Sequence, residues 1–377
     1  MFDTPSLPLT ALAFVLVLGP LVFLHEFGHY IVARWCGVKA ETFSIGFGRE
    51  LFGWTDRRGT RWKVGWLQLG GYVQFAGDMS PASNPDAAWR KLPPAERART
   101  FPAQALWKRA AIVAAGPVVN FIVALALIAG LGIAYGKPYT PPVVESVMAG
   151  SAAAAAGLAP GDRFVSVEGR PVESFEDVQM AVFYRPGISI PIEVERDGTR
   201  RALAIVPRVS KQVDRFGNEY RIGLLGVVGT GPQLAPLSPI AAPGYAIART
   251  GEILSLTGKT IGQVISGRRS IKEFGGPLRI AKISGEQVTL GLFAFLSLVA
   301  LMSINLGFIN LLPIPMLDGG HLMFYAIEAV RRKPPGPKAL EWAFGGGFAF
   351  VVLVMLVFTF NDVDSFGWLD TLGRVSG

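Results

Sequence analysis

The chain has 377 residues, half of them apolar, with a positive mean hydropathy and a formal net charge of +8. Cys36 is the sole cysteine in the sequence, which excludes an intrachain disulfide and a cysteine-based zinc site. Histidine is also scarce: His25, His29 and His321 are the whole set, which limits any histidine-based metal site. The basic charge indicates loops facing anionic lipid, and because no basic–aromatic patch accompanies it we predict no nucleic-acid partner.

Four stretches approach or exceed the roughly 20 apolar residues that cross a bilayer. They are Leu7–Ala33, Ala110–Tyr135, Leu290–Leu312 and Trp342–Phe360. A shorter apolar piece, His321–Val330, follows the third and is predicted to return toward the membrane surface. Met1–Ser6 carry no Lys or Arg, so we expect the first span to be retained rather than cleaved as a signal peptide.

Basic residues flank these spans on one side. They are Arg34 and Lys39 after the first span, Lys108 and Arg109 before the second, and Arg331, Arg332, Lys333 and Lys338 between the third and fourth. The positive-inside rule places all of them in the cytoplasm. The N-terminus, the 136–289 insert and the C-terminus are then predicted to lie outside.

The sequence HEFGH occupies residues 25–29, at the predicted cytoplasmic end of the first span. Two histidines four residues apart share one helix face and can bind one Zn²⁺, with Glu26 between them as general base. Placing ionisable side chains at membrane depth costs about 2.5–3.5 kcal/mol each on insertion scales. A chance HExxH is the alternative, but its position inside a span favours a zinc protease.

The segment Glu41–Asp78, between the first two spans, predicts a β-hairpin. Arg61–Val64 and Gly71–Phe75 alternate in polarity, and Asp56–Gly59 has the composition of a turn. Strands directly after a span suggest a sheet that dips into the membrane interface. Because unpaired strand edges are costly in lipid, we expect a free edge to be reserved for a partner strand.

Residues 140–226 predict a small soluble α+β domain. Its predicted strands are Pro142–Val147, Arg163–Val167, Ser189–Glu195, Ala202–Pro207 and Arg221–Leu225. Ser174–Tyr184 is predicted to be a helix, with Ser174 as its N-cap and Asp177 in its first turn. Residues 227–289 are a mixed connector in which Glu252–Ile265 is amphipathic and Arg268–Lys272 is rich in charge.

A catalytic zinc site takes three protein ligands and keeps one position open for water. Asp318 is the candidate third ligand, because it follows the third span and lies among helix-breaking prolines and glycines with no Lys or Arg nearby. His25, His29 and Asp318 would form a site with two nitrogens and one oxygen. A helix cap or turn is the structural alternative for Asp318. His321 could replace it as a ligand, although an interfacial histidine is the favoured interpretation.

Asn120 is a polar residue inside the second span. It could form a hydrogen bond to a neighbouring helix, or it could hold substrate or a catalytic oxygen, and the sequence leaves both open. Gly116, one turn earlier, allows close approach of another helix.

Together these motifs resemble the site-2 protease family of intramembrane metalloproteases, and among them the bacterial regulator of sigma-E protease group. The matching segments are HEFGH at 25–29, SIGFGRELF at 44–52, TRWKVGWLQLGGYVQFAGD at 60–78, AAGPVVNF at 114–121, NLGFINLLPIPMLDGGHLMF at 305–324 and FND at 360–362. The resemblance implies Zn²⁺ as cofactor, His25, His29 and Asp318 as its ligands, and Glu26 as catalytic base. It further implies that Asn310 and the hairpin, with Gly70, Gly71 and Tyr72, present the substrate and that Asn120 lies near the active site.

The insert resembles a PDZ domain as this family carries it, most clearly in GLAPGD at 157–162. Gly157, Leu158, Gly161 and Asp162 are therefore the expected groove residues. The group is known for two tandem PDZ domains, whereas this insert has room for one. In the family such a domain filters substrates that a site-1 protease has already trimmed.

The expected architecture is a multi-span α-helical membrane protein with a membrane-associated β-hairpin and one inserted α+β PDZ domain. Its expected parts are an N-terminal transmembrane core (1–135), the PDZ domain (136–226), a connector (227–289) and a C-terminal transmembrane core (290–377). The family implies the bacterial inner membrane, with single-span substrates of the anti-sigma-factor type or remnant signal peptides. A non-catalytic PDZ adaptor is the main alternative, and a transporter is disfavoured because no paired repeat of broken helices is found.

Overall fold

A computed structural model of the protein describes residues 5–77, 87–213, 219–266 and 275–365. The chain separates into two compact units. One comprises Met1–Leu131 and Ile240–Gly377, and the other comprises Gly132–Pro239. The division into four functional parts stays a prediction.

The N-terminal part of the first unit alternates long helices with a long hairpin. Its elements are α1 (Leu7–Trp35), β1 (Ala40–Thr55), β2 (Arg61–Phe75), a short 3₁₀ helix (Ala87–Lys91), α2 (Pro94–Arg97) and α3 (Leu106–Tyr135). Pro20 and Pro117 lie inside α1 and α3, and both helices continue through them. The two predicted strands Arg61–Val64 and Gly71–Phe75 both belong to β2, while Asp78 lies outside the described residues.

The hairpin folds back on itself, so that part of β1 pairs twice. Ser44 is the partner of both Lys63 and Tyr72, and Ile45 is the partner of both Val64 and Gly71. Residues 42–45 therefore lie between the 61–64 and 71–74 segments of β2, and residues 52–55 pair with 61–64 on the far side. This arrangement makes 71–74 an outer segment of a four-segment sheet.

The second unit is a small α+β fold. Its elements are β3 (Lys137–Tyr139), β4 (Val144–Val147), α4 (Ala152–Ala155), β5 (Arg163–Val167), β6 (Arg170–Pro171), α5 (Phe175–Phe183), β7 (Ile190–Arg196), β8 (Thr199–Ile205), β9 (Arg208–Val213), β10 (Glu219–Leu224), β11 (Val227–Gly229) and β12 (Gln233–Ala235). Four strands form an antiparallel sheet in the order β6-β5-β7-β8. Ser174 caps α5 in a capping box with Asp177, and the helix buries Phe175 and Val178 against the sheet core.

Helices form the remainder of the first unit. They are α6 (Ala242–Ile265), α7 (Pro277–Thr289), α8 (Leu292–Asn310), α9 (Asp318–Arg331) and α10 (Pro337–Ser365). The predicted amphipathic segment lies in α6, whereas Arg268–Lys272 lies outside the described residues. The apolar piece after the third span is part of α9. Asp362 of α10 accepts hydrogen bonds from the backbone N–H groups of Gly276 and Arg279, at 2.9 and 3.0 Å, and so caps the start of α7.

Four helices in the described residues are long and apolar enough to cross a membrane, as the four predicted spans require. They are Leu7–Trp35, Leu106–Tyr135, Leu292–Asn310 and Lys338–Val363. Val17 and Leu21 of α1 pack against Leu298 and Val299 of α8 in one buried cluster. This packing fixes the positions of the helices that carry the polar residues described next.

Candidate metal centre

Three side chains from distant parts of the chain meet at one point. Nε2 of His25 lies 3.2 Å from Nε2 of His29 and 3.2 Å from Oδ2 of Asp318, and Nε2 of His29 lies 3.5 Å from that oxygen. Both histidines are more than nine-tenths buried. One helical turn brings the histidines together, whereas the contact with Asp318 requires a distant part of the chain to return to them.

The spacing of these three atoms fits a tetrahedral metal ion. Bonds of about 2.0–2.2 Å to histidine nitrogen and carboxylate oxygen put neighbouring ligand atoms about 3.3–3.5 Å apart. Oδ2 of Asp318 is buried and makes no hydrogen bond. The two histidine nitrogens and the carboxylate oxygen can all point lone pairs at the space between them, and such an arrangement suits a cation. The residues present therefore fit Zn²⁺.

The outer nitrogen of each histidine also has a neighbour. Nδ1 of His29 donates to the backbone carbonyl oxygen of Ile112 at 2.8 Å, which leaves Nε2 with its lone pair toward the centre. Nδ1 of His25 lies 3.0 Å from the side-chain nitrogen of Asn120. The side-chain nitrogen of Asn310 lies 3.5 Å from Nε2 of His25. The two predicted asparagines thus both contact His25.

The loop between α8 and α9 aims Asp318 at the histidines. Pro313 and Pro315 interrupt the helical hydrogen bonding, Met316 has a φ of 87°, and α9 begins at Asp318. The N-cap residue is Leu317, and it makes no side-chain capping bond. Asp318 is therefore not the N-cap of α9, and its carboxylate at the positive end of the helix is favourably placed.

Gly116 of α3 lies against both histidine rings. A Cβ atom at this position would stand 2.5 Å from Cε1 of His29 and 2.8 Å from Cε1 of His25, closer than carbon atoms pack. Because α3 also carries Ile112 and Asn120, its close approach brings both partners of the histidines into range. Glycine at 116 is thus a requirement of the site.

A cavity of about 420 Å³ opens beside the three atoms. Its walls include Glu26, Asn310, Gly70, Gly71 and Tyr72, which are the predicted base and four of the five predicted substrate-binding residues. The fifth, Asn120, is not part of this lining. A Cβ at Gly71 would lie 3.1 Å from Cγ of Glu26, so the outer segment of the sheet runs directly past that side chain. The structure therefore gathers the proposed base, ligands and strand edge around one cavity.

His321 lines the same cavity but does not join the cluster. Its ring lies 4.7 Å from the ring of Phe344, centroid to centroid. Among the described residues, the histidine, cysteine and acidic ligand atoms that lie within 4.8 Å of one another are those of His25, His29 and Asp318. His321 thus lies outside this cluster, and its interpretation as an interfacial histidine stays a prediction.

The four residues predicted for a PDZ groove lie in one turn, in which Leu158 and Asp162 are buried and Gly157 and Gly161 are exposed. Arg196 donates to both carboxylate oxygens of Asp162, at 2.6 and 2.7 Å, and to the carbonyl oxygen of Gly157 at 2.7 Å. Burial disfavours the charge of Asp162, but the hydrogen bonds from Arg196 and the Ala159 N–H hold the pKa of this carboxyl below its usual range.

An apolar groove of about 370 Å³ does exist in the second unit, between α5 and residues 223–227. Its lining within the described residues includes Met148, Phe175, Val178 and Val182, and it includes none of the predicted four. Gly157, Leu158, Gly161 and Asp162 as groove residues therefore stay a prediction, with no contact in this groove to support it.

Sequence reasoning missed the carbonyl of Ile112. Every residue has a backbone carbonyl oxygen, so residue type cannot show which one accepts this hydrogen bond. In the sequence, Ile112 is one of many apolar residues in the second span. Gly116 carried the one available signal, because a glycine one turn before a buried asparagine indicated that something packs closely there.

Comparison with known proteins agrees with this geometry over nearly the whole chain. The model of peptidase family M50 matches residues 13–354. "Putative zinc metalloprotease Atu1380" of Agrobacterium fabrum is 46% identical over 357 residues, covering 93% of this chain and 95% of that protein. "Putative zinc metalloprotease R01501" of Rhizobium meliloti is 44% identical over 372 residues, covering 97% and 98%. The metalloprotease MmpA of Caulobacter vibrioides is 35% identical over 381 residues, covering 95% and 96%.

A solved PDZ domain of an SdrC-like protein from Listeria monocytogenes matches 24% of this chain and 90% of its own at 18% identity, with a TM-score of 0.19. That score is too low to assign the fold of the second unit. The family match and the relatives do settle the class of enzyme and its metal. The chain belongs to peptidase family M50, the site-2 protease family of zinc metalloproteases.

Proposed function

We propose that this protein is an intramembrane endopeptidase that cleaves the transmembrane segments of single-span membrane proteins. The observation that carries the proposal is the convergence of His25, His29 and Asp318 within a helix bundle apolar enough to cross a membrane. These three side chains are the proposed zinc ligands. A site among membrane-spanning helices can reach peptide bonds that a soluble protease cannot.

Glu26 is the proposed general base. A bound zinc ion would lower the pKa of water at its open position toward about 7 and polarise the scissile carbonyl. Glu26 lines the cavity beside the ligands, where it can accept a proton from the attacking water and deliver it to the leaving amine nitrogen. His25 and His29 lie on the same helix as Glu26, so the base and two of the three proposed ligands are fixed to one rigid element.

The outer segment of the sheet is the proposed substrate-binding edge. A transmembrane helix hides its peptide bonds in its own hydrogen bonds, so a substrate must become extended before attack. Residues 71–74 pair with 42–45 on one side, and residues 71–73 line the cavity, as an edge for β-augmentation should. Gly70, Gly71 and Tyr72 supply backbone contacts in this scheme, and Asn310 holds the extended chain near His25.

The cellular setting follows from charge and family. The basic residues around the spans favour a bacterial inner-membrane protein with the second unit and both termini outside and the metal centre near the cytoplasmic side. The second unit would then act as a PDZ-type filter for substrates trimmed by an upstream site-1 protease. Anti-sigma-factor-like proteins and remnant signal peptides are the proposed substrate class.

Replacing Glu26 by Gln tests the proposal, because the amide has nearly the same shape but cannot accept the proton. We expect Glu26→Gln to abolish cleavage of a transmembrane reporter in reconstituted membranes while the protein still binds zinc. Glu96→Gln, at an exposed position, is the matched control and should cleave normally. Cleavage that persists in Glu26→Gln would refute the role of Glu26, and wild-type protein that binds no zinc and cuts no reporter would favour a PDZ adaptor.

A further inference from the structure

Asn120 is fully buried at the metal centre, and the nitrogen and oxygen of its side-chain amide have different surroundings. Its side-chain nitrogen lies 3.0 Å from Nδ1 of His25, whereas its side-chain oxygen Oδ1 is buried and has no hydrogen-bond partner. Its backbone carbonyl is fixed separately, because Ser303 of α8 donates to it at 2.7 Å. The backbone of Asn120 is thus held in place, while rotation of its side-chain amide can turn either the nitrogen or the oxygen toward His25.

Metal binding decides that choice. A neutral imidazole that gives the lone pair of Nε2 to a metal must carry its proton on Nδ1, where it becomes a donor. The NH₂ end of an amide is also a donor, and two donors 3.0 Å apart cannot share a hydrogen bond. Half a turn of the amide replaces the nitrogen by Oδ1, which accepts the Nδ1 proton of His25.

His29 shows the same requirement already met. Its Nδ1 donates to the carbonyl oxygen of Ile112 at 2.8 Å, and Ile112 lies two turns before Asn120 on the same helix, α3. One helix therefore presents an acceptor to each histidine. The acceptor for His29 belongs to the backbone, and the acceptor for His25 belongs to a side chain that mutation can remove.

We propose that Asn120 is a positioning residue whose side-chain carbonyl accepts the Nδ1 proton of His25 and thereby holds Nε2 ready for the metal. This inference rests on the proposed role of His25 as a zinc ligand. Asn120 would then act at Nδ1 of His25, across the ring from the metal-binding Nε2, and this role is distinct from holding substrate. Such outer partners of metal-bound histidines fix both ring orientation and proton position.

Three variants of the full-length protein in detergent separate this role from simple packing. Asn120→Asp keeps an oxygen acceptor and Asn120→Leu removes it at similar size, while Ser303→Ala disturbs the same α3–α8 contact without touching His25. In competition with a zinc chelator, we expect Asn120→Leu to weaken zinc affinity about 10–100-fold, the usual range for loss of such a partner. Asn120→Asp and Ser303→Ala should stay close to wild type.

Equal zinc affinity of wild type and Asn120→Leu would overturn the proposal, as would an Asn120→Asp variant that loses as much as Asn120→Leu. Histidine ¹⁵N spectra of the zinc-loaded wild type supply a second test that no misfolding can obscure. With three histidines in the sequence, the signals of His25 and His29 can be assigned by single substitutions. We expect a proton on Nδ1 of both, and an unprotonated Nδ1 on His25 would refute the inference.

His25→Ala distinguishes failure of this inference from failure of the proposed function. If His25→Ala retains zinc at wild-type affinity, His25 is not a ligand and both proposals fall. If His25→Ala loses zinc and Asn120→Leu does not, the ligand assignment stands and the positioning role alone is refuted.

Discussion

Two aspartates of this chain, Asp162 and Asp318, each have a carboxylate oxygen shielded from water, and the surroundings of the two oxygens are opposite in kind. Asp162, in the second unit, receives two hydrogen bonds from Arg196 and one from the N–H of Ala159. Asp318, in the first unit, faces the ring nitrogens of two histidines, and its Oδ2 makes no hydrogen bond. At Asp162 the protein itself supplies the positive partner, Arg196. At Asp318 a positive partner would have to be a cation bound from solution.

Under the proposed ligand assignment, this difference distinguishes a carboxylate that stabilises the fold from one that would bind a metal ion. A buried charge is tolerated when a partner charge and hydrogen bonds replace its water. Arg196 meets that condition within the protein, so the Asp162 turn is complete by itself. In the proposed site a zinc ion bound to Asp318 would meet the condition, and its open coordination position would serve hydrolysis.

The largest effect is expected from Asp318→Asn, which removes the charge at nearly constant shape. We expect zinc affinity to fall by more than the roughly 100-fold that marks loss of an outer partner, and reporter cleavage to fall to background. The rise in unfolding temperature on adding zinc should disappear as well, because a ligand stabilises a fold only when it binds the folded state. Chelator titration and unfolding temperature with and without zinc measure both.

The metal-free unfolding temperature is the control for Asp318→Asn. It should change little, because the wild-type site without zinc has no cation to lose. A variant that unfolds much earlier than metal-free wild type, yet keeps its zinc, would place Asp318 in the same structural class as Asp162.

A second effect, smaller than the first, is expected from Gly116→Ala. The added methyl group would press on both histidine rings and displace Nε2 atoms whose spacing now fits one ion. Gly130→Ala on the same helix is the matched control, because a Cβ there meets nothing within 4 Å. Both changes gain the same helix propensity, so weaker zinc binding and slower cleavage in Gly116→Ala alone would trace the loss to the rings. Equal behaviour of the two variants would show that the centre tolerates the displacement.

The sequence predicted the parts of this site that depend on local spacing. Apolar length predicted the four helices, and the separation of His25 and His29 by four residues predicted a shared face because helical geometry is regular. Asp318 could be predicted as their partner because an unpaired carboxylate after an apolar span requires an explanation. Long-range convergence itself was inferred from chemistry rather than from any sequence pattern.

Other features had no local signal. Alternating residues predicted strands in the hairpin but could not show that residues 42–45 pair on both sides, since polarity reports the faces of a sheet and not its edges. The contact between Asn120 and His25 was one of two open alternatives, because an intramembrane amide is equally suited to a helix partner or a substrate. The groove at GLAPGD stays a prediction, and the motif carried no signal that its buried Asp162 is held by Arg196, 34 residues away in sequence.

The smallest effect is expected from Asp162→Asn, and it should fall on stability alone. Loss of the charged hydrogen bonds should lower the unfolding temperature of the second unit by about 4–8 °C, the scale for one net hydrogen bond in a unit of this size. Pulses of protease at increasing temperature, scored for cleavage within residues 140–226 of the full-length protein, measure the change. Asp197→Asn is the matched control, because this neighbouring aspartate is exposed and its positive φ of 51° suits asparagine equally well.

Acid sharpens the same test. The folded pKa of Asp162 lies below its unfolded value, so its contribution to stability is complete above an unfolded pKa of about 3.9 and is lost as the pH falls through the lower, folded value. The stability difference between wild type and Asp162→Asn should therefore be constant near neutrality and shrink in strong acid, while zinc affinity at neutral pH stays equal in the two proteins. A lower zinc affinity in Asp162→Asn would contradict the contrast with Asp318, because it would show that Asp162 also affects the metal centre.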